Sequence, residues 1–483
     1  MFRNRSALAR TPAHEVGLDC LAAGIRGADP ERATADALTR DSARLSVTTA
    51  GNETTLDLDR FDHILVLGGG KAAAGVVHAL ATCLGDDIED GLIIVPEGTQ
   101  ETGNPLSAVE IAAGGHPVPS EAGATATDRL LELAESADER TLVFAVITGG
   151  GSALLAAPAG DLTVDDLQRV TRGLLDAGAD IEAINAVRKH CSRVKGGRLA
   201  AACDPARVVG LAVSDVVGDP LSVIASGPTA PDETSYADAL AVLDRYGVRA
   251  SRVRDHLERG AAGEFADSPD PGAPVFERVR NHVVASNRTA IDAAAAAAEE
   301  RGFTTCPLSS RVRGEASAAA PTHVAIAAEA ADSGDPVEPP AVILSGGETT
   351  VDVGRGTGTA EPGTGGPNLE FGLAAAIELN ETASEAGAAR RPVIAAVDTD
   401  GHDGSTDAAG ALVDAATIDD GGRAQDALAR HNSLGYLDAR NAALRTGPTG
   451  TNVNDLRVLV VPERDFTRSE DAAERGEEFH ESA

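Results

Sequence analysis

Glycine turns that open onto a single charged or hydroxyl side chain recur along this chain, and they are where chemistry is legible. In HILVLGGGKAAAG, Gly68, Gly69 and Gly70 close an apolar run and Lys71 opens a stretch of helical character. Backbone N–H groups exposed at such a turn bind anions, and the lysine adds a point charge for a phosphate or a carboxylate. The Walker A pattern is absent, but Gly68, Gly70 and Ala73 satisfy the looser dinucleotide pattern G-x-G-x-x-A, with Glu97 placed to meet a ribose. ITGGGSALL repeats the arrangement with Gly150, Gly151 and Ser152. No nucleophile elbow surrounds that serine, so it reads as an oxyanion donor, or as a plain helix cap. NAVRKHCSRVKGGRLA then concentrates Arg188, Lys189, Arg193, Lys195 and Arg198, a positive patch that suits a polyanion such as a nucleotide. Only three lysines exist in the chain, Lys71, Lys189 and Lys195, and all lie in these motifs. Salt bridging accounts for part of the patch, but not for both of its lysines.

Carboxylates gather next. SDVVGDPLSVIASGPT contributes Asp215 and Asp219, and VDTDGHDGSTDAAG contributes Asp398, Asp400, Asp403 and Asp407. Aspartates in glycine loops are hard oxygen ligands that fit Mg²⁺ bridging phosphates, or bases that accept a hydroxyl proton. His402 reads as structural, and His116 in AGGHPVP either as a loop histidine or as one within reach of a site. Asn287 after Ser286, Glu348 in SGGETTV, and Thr449, Thr451 and Asn452 in TGPTGTNVNDL complete the polar set.

The elements that position these residues are short apolar runs ending in glycine or aspartate and followed by alanine-rich stretches. They lie at 63–70, 91–98, 141–151, 207–215, 282–287, 341–348, 391–401 and 456–463. This is the rhythm of parallel strands in an α/β protein, whose binding groups collect at the carboxyl ends of the strands. The polar stretch between about 260 and 275 predicts a boundary, giving domains over 1–262 and 275–463 and a charged tail over 464–483. A second glycine-rich stretch, 354–368, predicts a functional loop.

Charge sets the solvent. Seventy-five acidic against 41 basic residues give −34, with 42% apolar residues spread along the chain. Such self-repulsion is tolerable where salt screens it, so the chain reads as haloadapted and cytoplasmic, with nucleic acid and anionic membranes excluded as partners. Five cysteines without C-x-x-C spacing suggest neither a disulfide framework nor a zinc site, and no apolar run is long enough to span a bilayer.

Taken in order, GGGKAAAG, TGGGSALL, NAVRKHCSRVKGGRLA, SDVVGDPLSVIASGPT, SGGETTV, DTDGHDGSTDAAGA and TGPTGTNVNDL resemble the class II glycerate kinases with a C-terminal MOFRL domain, across roughly residues 8 to 460. The resemblance implies two α/β domains: an N-terminal Rossmann-like, mostly parallel sheet flanked by helices, and a C-terminal MOFRL-type domain, with the active site in the cleft between them. It implies phosphorylation of D-glycerate at its 2-hydroxyl with ATP and Mg²⁺. It places Lys71, Asp215 and Lys195 as catalytic residues. Gly69, Gly70, Gly150, Gly151, Ser152, Arg188, Lys189, Asn287, Glu348, Asn368 and Asn452 would bind substrate or nucleotide, and Asp219, Asp398 and Asp400 the metal. One departure stands out: where many relatives carry arginine in G-G-R-N-x-E, this chain has GGPNLE, with Pro367 in that place and Asn368 and Glu370 retained. Two other readings compete, an NAD(P)H-dependent hydroxypyruvate reductase built on Gly68, Gly70, Ala73 and Glu97, and a non-catalytic sugar-acid or nucleotide sensor. A homodimer is one option among oligomeric states that the sequence leaves open.

The charge balance makes a prediction. Raising KCl from about 0.1 M to about 2 M shortens the screening length from roughly 10 Å to under 3 Å, so the thermal unfolding midpoint should rise over that range; a flat or falling midpoint would contradict the haloadapted reading.

Overall fold

The computed structural model describes residues 1–98, 108–352, 363–383 and 392–463. The chain divides into two compact units, one formed by Ala28–Ser286 and the other by Met1–Gly27 together with Asn287–Ala483.

In the Ala28–Ser286 unit the helix Pro30–Ala37 leads into a three-stranded antiparallel sheet of β1 (Leu38–Asp41), β2 (Arg44–Thr49) and β3 (Asn52–Asp57). Its main sheet comprises β4 (His63–Gly69), β5 (Asp90–Pro96), β6 (Val109–Gly114), β7 (Thr141–Thr148), β8 (Arg207–Val213) and β9 (Val279–Ala285), in the order β6-β5-β4-β7-β8-β9. All five pairings are parallel. Every residue of β7, TLVFAVIT, is buried, as expected of a central strand covered on both faces. The order runs outward from β4 in one direction and from β7 in the other. That reversal makes the space beyond the ends of β4 and β7 the topological switch point, where ligands bind in open α/β sheets.

Close backbone passage at this point needs glycine. Gly70 has φ +137°, and a Cβ there would run into the Thr148 carbonyl and hydroxyl. The segments between β7 and β8 and between β8 and β9 together add a helical layer with its own core: the helices Val164–Asp176 and Ile181–His190 from the first, and Tyr236–Tyr246 and Ser251–Ala261 from the second, bury Val170, Leu174, Val187, Tyr236, Leu243 and Leu257 together. Thr163 with Asp166, and Ser235 with Asp238, form capping boxes at the starts of two of them.

The second unit carries a mixed sheet of β10 (Thr304–Glu315), β11 (Ala341–Thr350), β12 (Val393–Asp398), β13 (Gly410–Val413), β14 (Ala443–Leu444) and β15 (Asp455–Val461), in the order β10-β11-β15-β12-β13-β14. Among the described residues only β10 and β11 pair in parallel. The runs at 341–348, 391–401 and 456–463 hold β11, β12 and β15, but β15 lies antiparallel to both of its neighbours, which corrects the expectation of parallel strands here. Continuous apolar runs report burial on both faces and carry no sign of strand direction. Leu369, Phe371 and Leu373, from the helix Pro367–Ala383, are fully buried in this unit's core with Ala320 and Val324 of the helix Ala316–Asp332.

The compact units also correct the boundaries expected at 262 and 275. The run at 282–287 supplies β9, the sixth strand of the first sheet. The first 27 residues join the second unit, where the helix Pro12–Gly27 packs on the helix Asn287–Glu299 and on β15. Most of the expected loop at 354–368 and the whole tail 464–483 lie outside the described residues. Among those described, no helix is long and apolar enough to cross a membrane.

The Gly70 geometry yields a test. Gly70→Ala should cost about 2 kcal/mol or more, from backbone strain and overlap together. Gly85→Ala, also at positive φ but facing open space, should cost less. Urea denaturation of both variants measures the difference, and equal losses would contradict the close approach of β4 and β7.

Candidate functional site

At the switch point β4 and β7 are stitched together by the turns that follow them. The Lys71 N–H donates to the Gly149 carbonyl at 2.8 Å, the Gly70 N–H to the Ile94 carbonyl at 3.0 Å, and the Ala72 N–H to Thr148 Oγ1 at 3.1 Å. Gly69 and Gly70 are buried. This corrects their expected role as an anion cradle: the donors at this turn are spent within the protein, and the glycines serve the close passage of the chain. The second turn differs. Among the described residues no hydrogen bond is recorded for the N–H groups of Gly150, Gly151 and Ser152, so here the backbone does present donors.

Three side chains converge on that second turn. Gly150, in the left-handed region at φ +82°, lies between the Lys71 side chain and the His116 ring, each of which would be 3.1 Å from a Cβ placed there. Asp215, two residues beyond β8, reaches over Gly149 so closely that a Cβ would overlap its carboxylate. Burial raises the Asp215 pKa, partly offset by the Lys71 ammonium. Burial and then Lys71 lower that of His116. An exposed ammonium, an imidazole held toward its neutral form and a carboxyl with raised proton affinity therefore share one corner. The set suits anion neutralisation beside a base for a hydroxyl proton.

Ser152, expected as a donor, contacts Ser226 at 2.7 Å between hydroxyls, and Ser226 donates to Asn185 Oδ1 at 3.0 Å. The basic motif splits into different roles. The helix ends at His190, and the following turn folds back, with the Arg193 N–H on the Ala157 carbonyl at 2.8 Å. This brings Arg188 and Lys195 to the wall of one pocket with Ser152. Lys195 is buried, its Nζ donates to the Leu155 carbonyl at 2.6 Å, and desolvation, followed by the charge of Arg188, pushes its pKa down to about 7. Lys189 faces the other way into a buried ion pair with Asp232 at 3.0 Å. Asp232 also accepts from Ser268 at 2.9 Å. Lys189 thus supports the Gly196 turn beneath Lys195, because its carbon chain and the Asp232 carboxylate pack against Gly196. Asp219 sits at φ +58° in the turn after Asp215, its N–H on the Val216 carbonyl at 3.0 Å.

In the second unit the antiparallel course of β15 places Asp455 opposite Gly347 at the end of β11 and opposite Asp398 at the end of β12. Asp455 accepts from the Thr349 N–H at 2.9 Å, from Asn368 Nδ2 at 2.7 Å and from the fully buried Arg457 at 2.6 Å. Asp403 accepts the Asn368 and Leu369 N–H groups at 2.9 and 2.7 Å, closing the helix that Pro367 opens. Proline suits that first helical position, where its fixed φ fits the helix and its missing N–H costs no hydrogen bond. Asn287 donates to the Val453 and Asp455 carbonyls at 2.8 and 2.7 Å. Asn368 and Asn287, both expected to bind ligand, therefore spend their amide donors on the scaffold. Asn452 Oδ1 accepts the Asn454 N–H at 3.2 Å, and Glu348 is exposed. Asp398 is pushed up to about 8 by burial and then by Asp400, with Asp455 and Asp403 adding to it; burial takes Asp403 to about 7. Among the described residues no three His, Cys, Asp or Glu side chains group as a metal site.

The sequence leaves His116 either a loop histidine or one within reach of a site. The structure places it beside Lys71, two residues past β6, a strand whose apolar run Glu110 interrupts after a single residue.

Residues 17–258 match the model of a domain of unknown function, DUF4147, and residues 341–455 that of the MOFRL family. The chain is 37% identical over 455 residues to a glycerate 2-kinase of Pyrococcus horikoshii, covering 92% of this chain and 97% of that protein. It is 40% identical over 401 residues to a protein of Agrobacterium vitis named "Putative hydroxypyruvate reductase", covering 82% and 87%. The crystal structure of a glycerate kinase from Thermotoga maritima superposes with a TM-score of 0.78 at 33% identity, covering 92% of this chain and 99% of that one.

With three lysines in the chain, ¹³Cε-lysine NMR resolves each of them. One resonance, lost in Lys195→Met, should titrate near pH 7. Because burial lowers this pKa, the unfolded chain binds the extra proton between about pH 7 and 10.5, and stability gains from this group as pH rises through that window. Three lysine resonances that all titrate near pH 10 would refute the burial of Lys195.

Proposed function

Because the chain belongs to the glycerate kinase family that joins a DUF4147 domain to a MOFRL domain, we propose that it transfers the γ-phosphoryl group of ATP to the 2-hydroxyl of D-glycerate, releasing ADP and 2-phosphoglycerate. The observation that carries the chemistry is the gathering of Lys71, His116 and Asp215 around Gly149 and Gly150 at the switch point. Phosphoryl transfer asks a protein for alignment and charge neutralisation more than for covalent work. In this reading Asp215 takes the proton from the substrate hydroxyl, its raised pKa fitting that role. Lys71 neutralises an anionic group of the bound substrates, and the free N–H groups of Gly150 to Ser152 orient it.

Mg²⁺ fits as the metal on the chemistry of the donors. Asp398 and Asp400 are neighbouring hard-oxygen donors, and the burial and then the carboxylate crowding that raise Asp398 are what a bound cation would offset. Magnesium commonly takes only one or two carboxylates, with phosphates and water completing its shell. Bound there, it would neutralise phosphate oxygens. Asp219 is a further oxygen donor of the same class in the other unit. A cytoplasmic setting at high salt completes the proposal.

The reductase reading is disfavoured by a specific observation. A dinucleotide pyrophosphate needs the N–H groups after β4, and those of Gly70, Lys71 and Ala72 are already bonded to Ile94, Gly149 and Thr148.

The direct test supplies ATP, Mg²⁺ and D-glycerate in molar KCl and reads the products by ³¹P NMR. We expect 2-phosphoglycerate, with no NAD(P)H oxidation on hydroxypyruvate. A 3-phosphoglycerate product would retain the kinase and overturn the regiochemistry, and no phosphoglycerate from folded protein would overturn the kinase. Lys71→Ala, at an exposed position, should keep the fold and lower kcat by about 10² to 10³; near-normal turnover would remove Lys71 from the mechanism.

A further inference from the structure

The pocket that holds Arg188 and Lys195 is unusual for its lack of acid. Its wall comprises Ser152, Ser192, Cys191 and Thr171 beside apolar residues such as Leu167 and Val170, and among the described residues neither aspartate nor glutamate lines it. The surrounding helical layer is otherwise well matched in charge. Arg169 and Arg252 both meet Asp166, Arg193 meets Asp128, and Lys189 meets Asp232. No ion pair is recorded for Arg188 or Lys195 among the described residues. In a chain of charge −34, a guanidinium and an adjacent buried amine without an acid are costly to keep charged together unless an anion joins them.

We infer that this pocket receives the carboxylate of the small hydroxy acid, with Leu167, Val170 and Thr171 limiting the length of carbon chain accepted; the identity of the acid rests on the kinase reading above. A single guanidinium fork and one ammonium match one carboxylate, whereas a triphosphate calls for several more donors than this mostly apolar wall provides. Ser152 adds selectivity for a hydroxylated acid. The Ser226 hydrogen goes to Asn185 Oδ1, so the hydrogen between the two serines is that of Ser152, and Ser152 Oγ keeps lone pairs to accept from a substrate hydroxyl.

Steady-state kinetics on the full chain in molar KCl separate the substrates. Arg188→Met should raise KM for D-glycerate at least about tenfold while KM for ATP moves less than about twofold. Thr171→Phe, which fills the pocket and keeps both cations, should show the same split. A rise in KM for ATP instead would make this a phosphate pocket and overturn the inference, as would an unchanged KM for glycerate in both variants. Nucleotide-free calorimetry with D-glycerate and with propionate keeps the two readings apart. Wild-type protein that binds glycerate through Arg188, and more tightly than propionate, but never phosphorylates it would sink the kinase and leave the pocket standing. Turnover with no Arg188 dependence of glycerate binding would do the reverse. Circular dichroism checks folding, and Arg188→Lys, which keeps the charge and loses the fork, replaces Arg188→Met if that variant does not fold; its expected signature is again a raised KM for glycerate alone.

Discussion

The hydrogen bond from the Lys71 N–H to the Gly149 carbonyl is the contact on which the rest of the first unit depends. It carries the parallel pairing of β4 with β7 past the strand ends at the point where strand order reverses, and it fixes the turn after one strand against the turn after the other. Parallel strands deliver all their carboxyl ends to one edge, so residues far apart in sequence arrive together: Lys71 after β4, His116 after β6, Ser152 after β7 and Asp215 after β8. The buried, near-continuous apolar strands hold that edge rigid. A charged corner can then be built on turns without being loose.

The second unit solves a different electrostatic problem. Four carboxylates, Asp398, Asp400, Asp403 and Asp455, crowd the ends of three strands and the start of one helix. One buried arginine, Arg457, pairs with Asp455 and lies 4.8 Å over the Phe371 ring. Asp403 is satisfied by helix N–H groups, so its charge is used to hold Pro367–Ala383 in place. What remains exposed to crowding is the Asp398–Asp400 pair. A division of labour among like residues in one short motif follows from which of them the backbone reaches.

Much of this was legible in the sequence, for identifiable reasons. Apolar runs ending in glycine or aspartate marked eight strands, and the scarcity of lysine drew attention to Lys71 and Lys195. The failures share a cause, the dependence of a residue's role on a distant partner. Lys189 looked like a ligand contact because Asp232, which pairs with it, lies 43 positions away. Asn287 and Asn368 looked available for ligands because the carbonyls and carboxylates they serve come from β15 and the turn before it. The direction of β15 and the membership of β9 were invisible for the same reason: a strand's pattern records how it is buried and not which strand lies beside it.

The split of the second unit between Met1–Gly27 and Asn287 onward bears on how the protein is made. The helix Pro12–Gly27, with Val16, Leu18, Leu21 and Ile25 buried against a sheet encoded near the other end of the chain, leaves the ribosome early and finds no partner until the whole Ala28–Ser286 unit has been synthesised. At translation rates of about 5 to 20 residues per second that interval is on the order of tens of seconds. Throughout it an apolar helix face stands open on the nascent chain. The architecture thus builds in a period of dependence on whatever shields such faces in the cell, and the order of biogenesis follows: the inserted unit first, the discontinuous unit last.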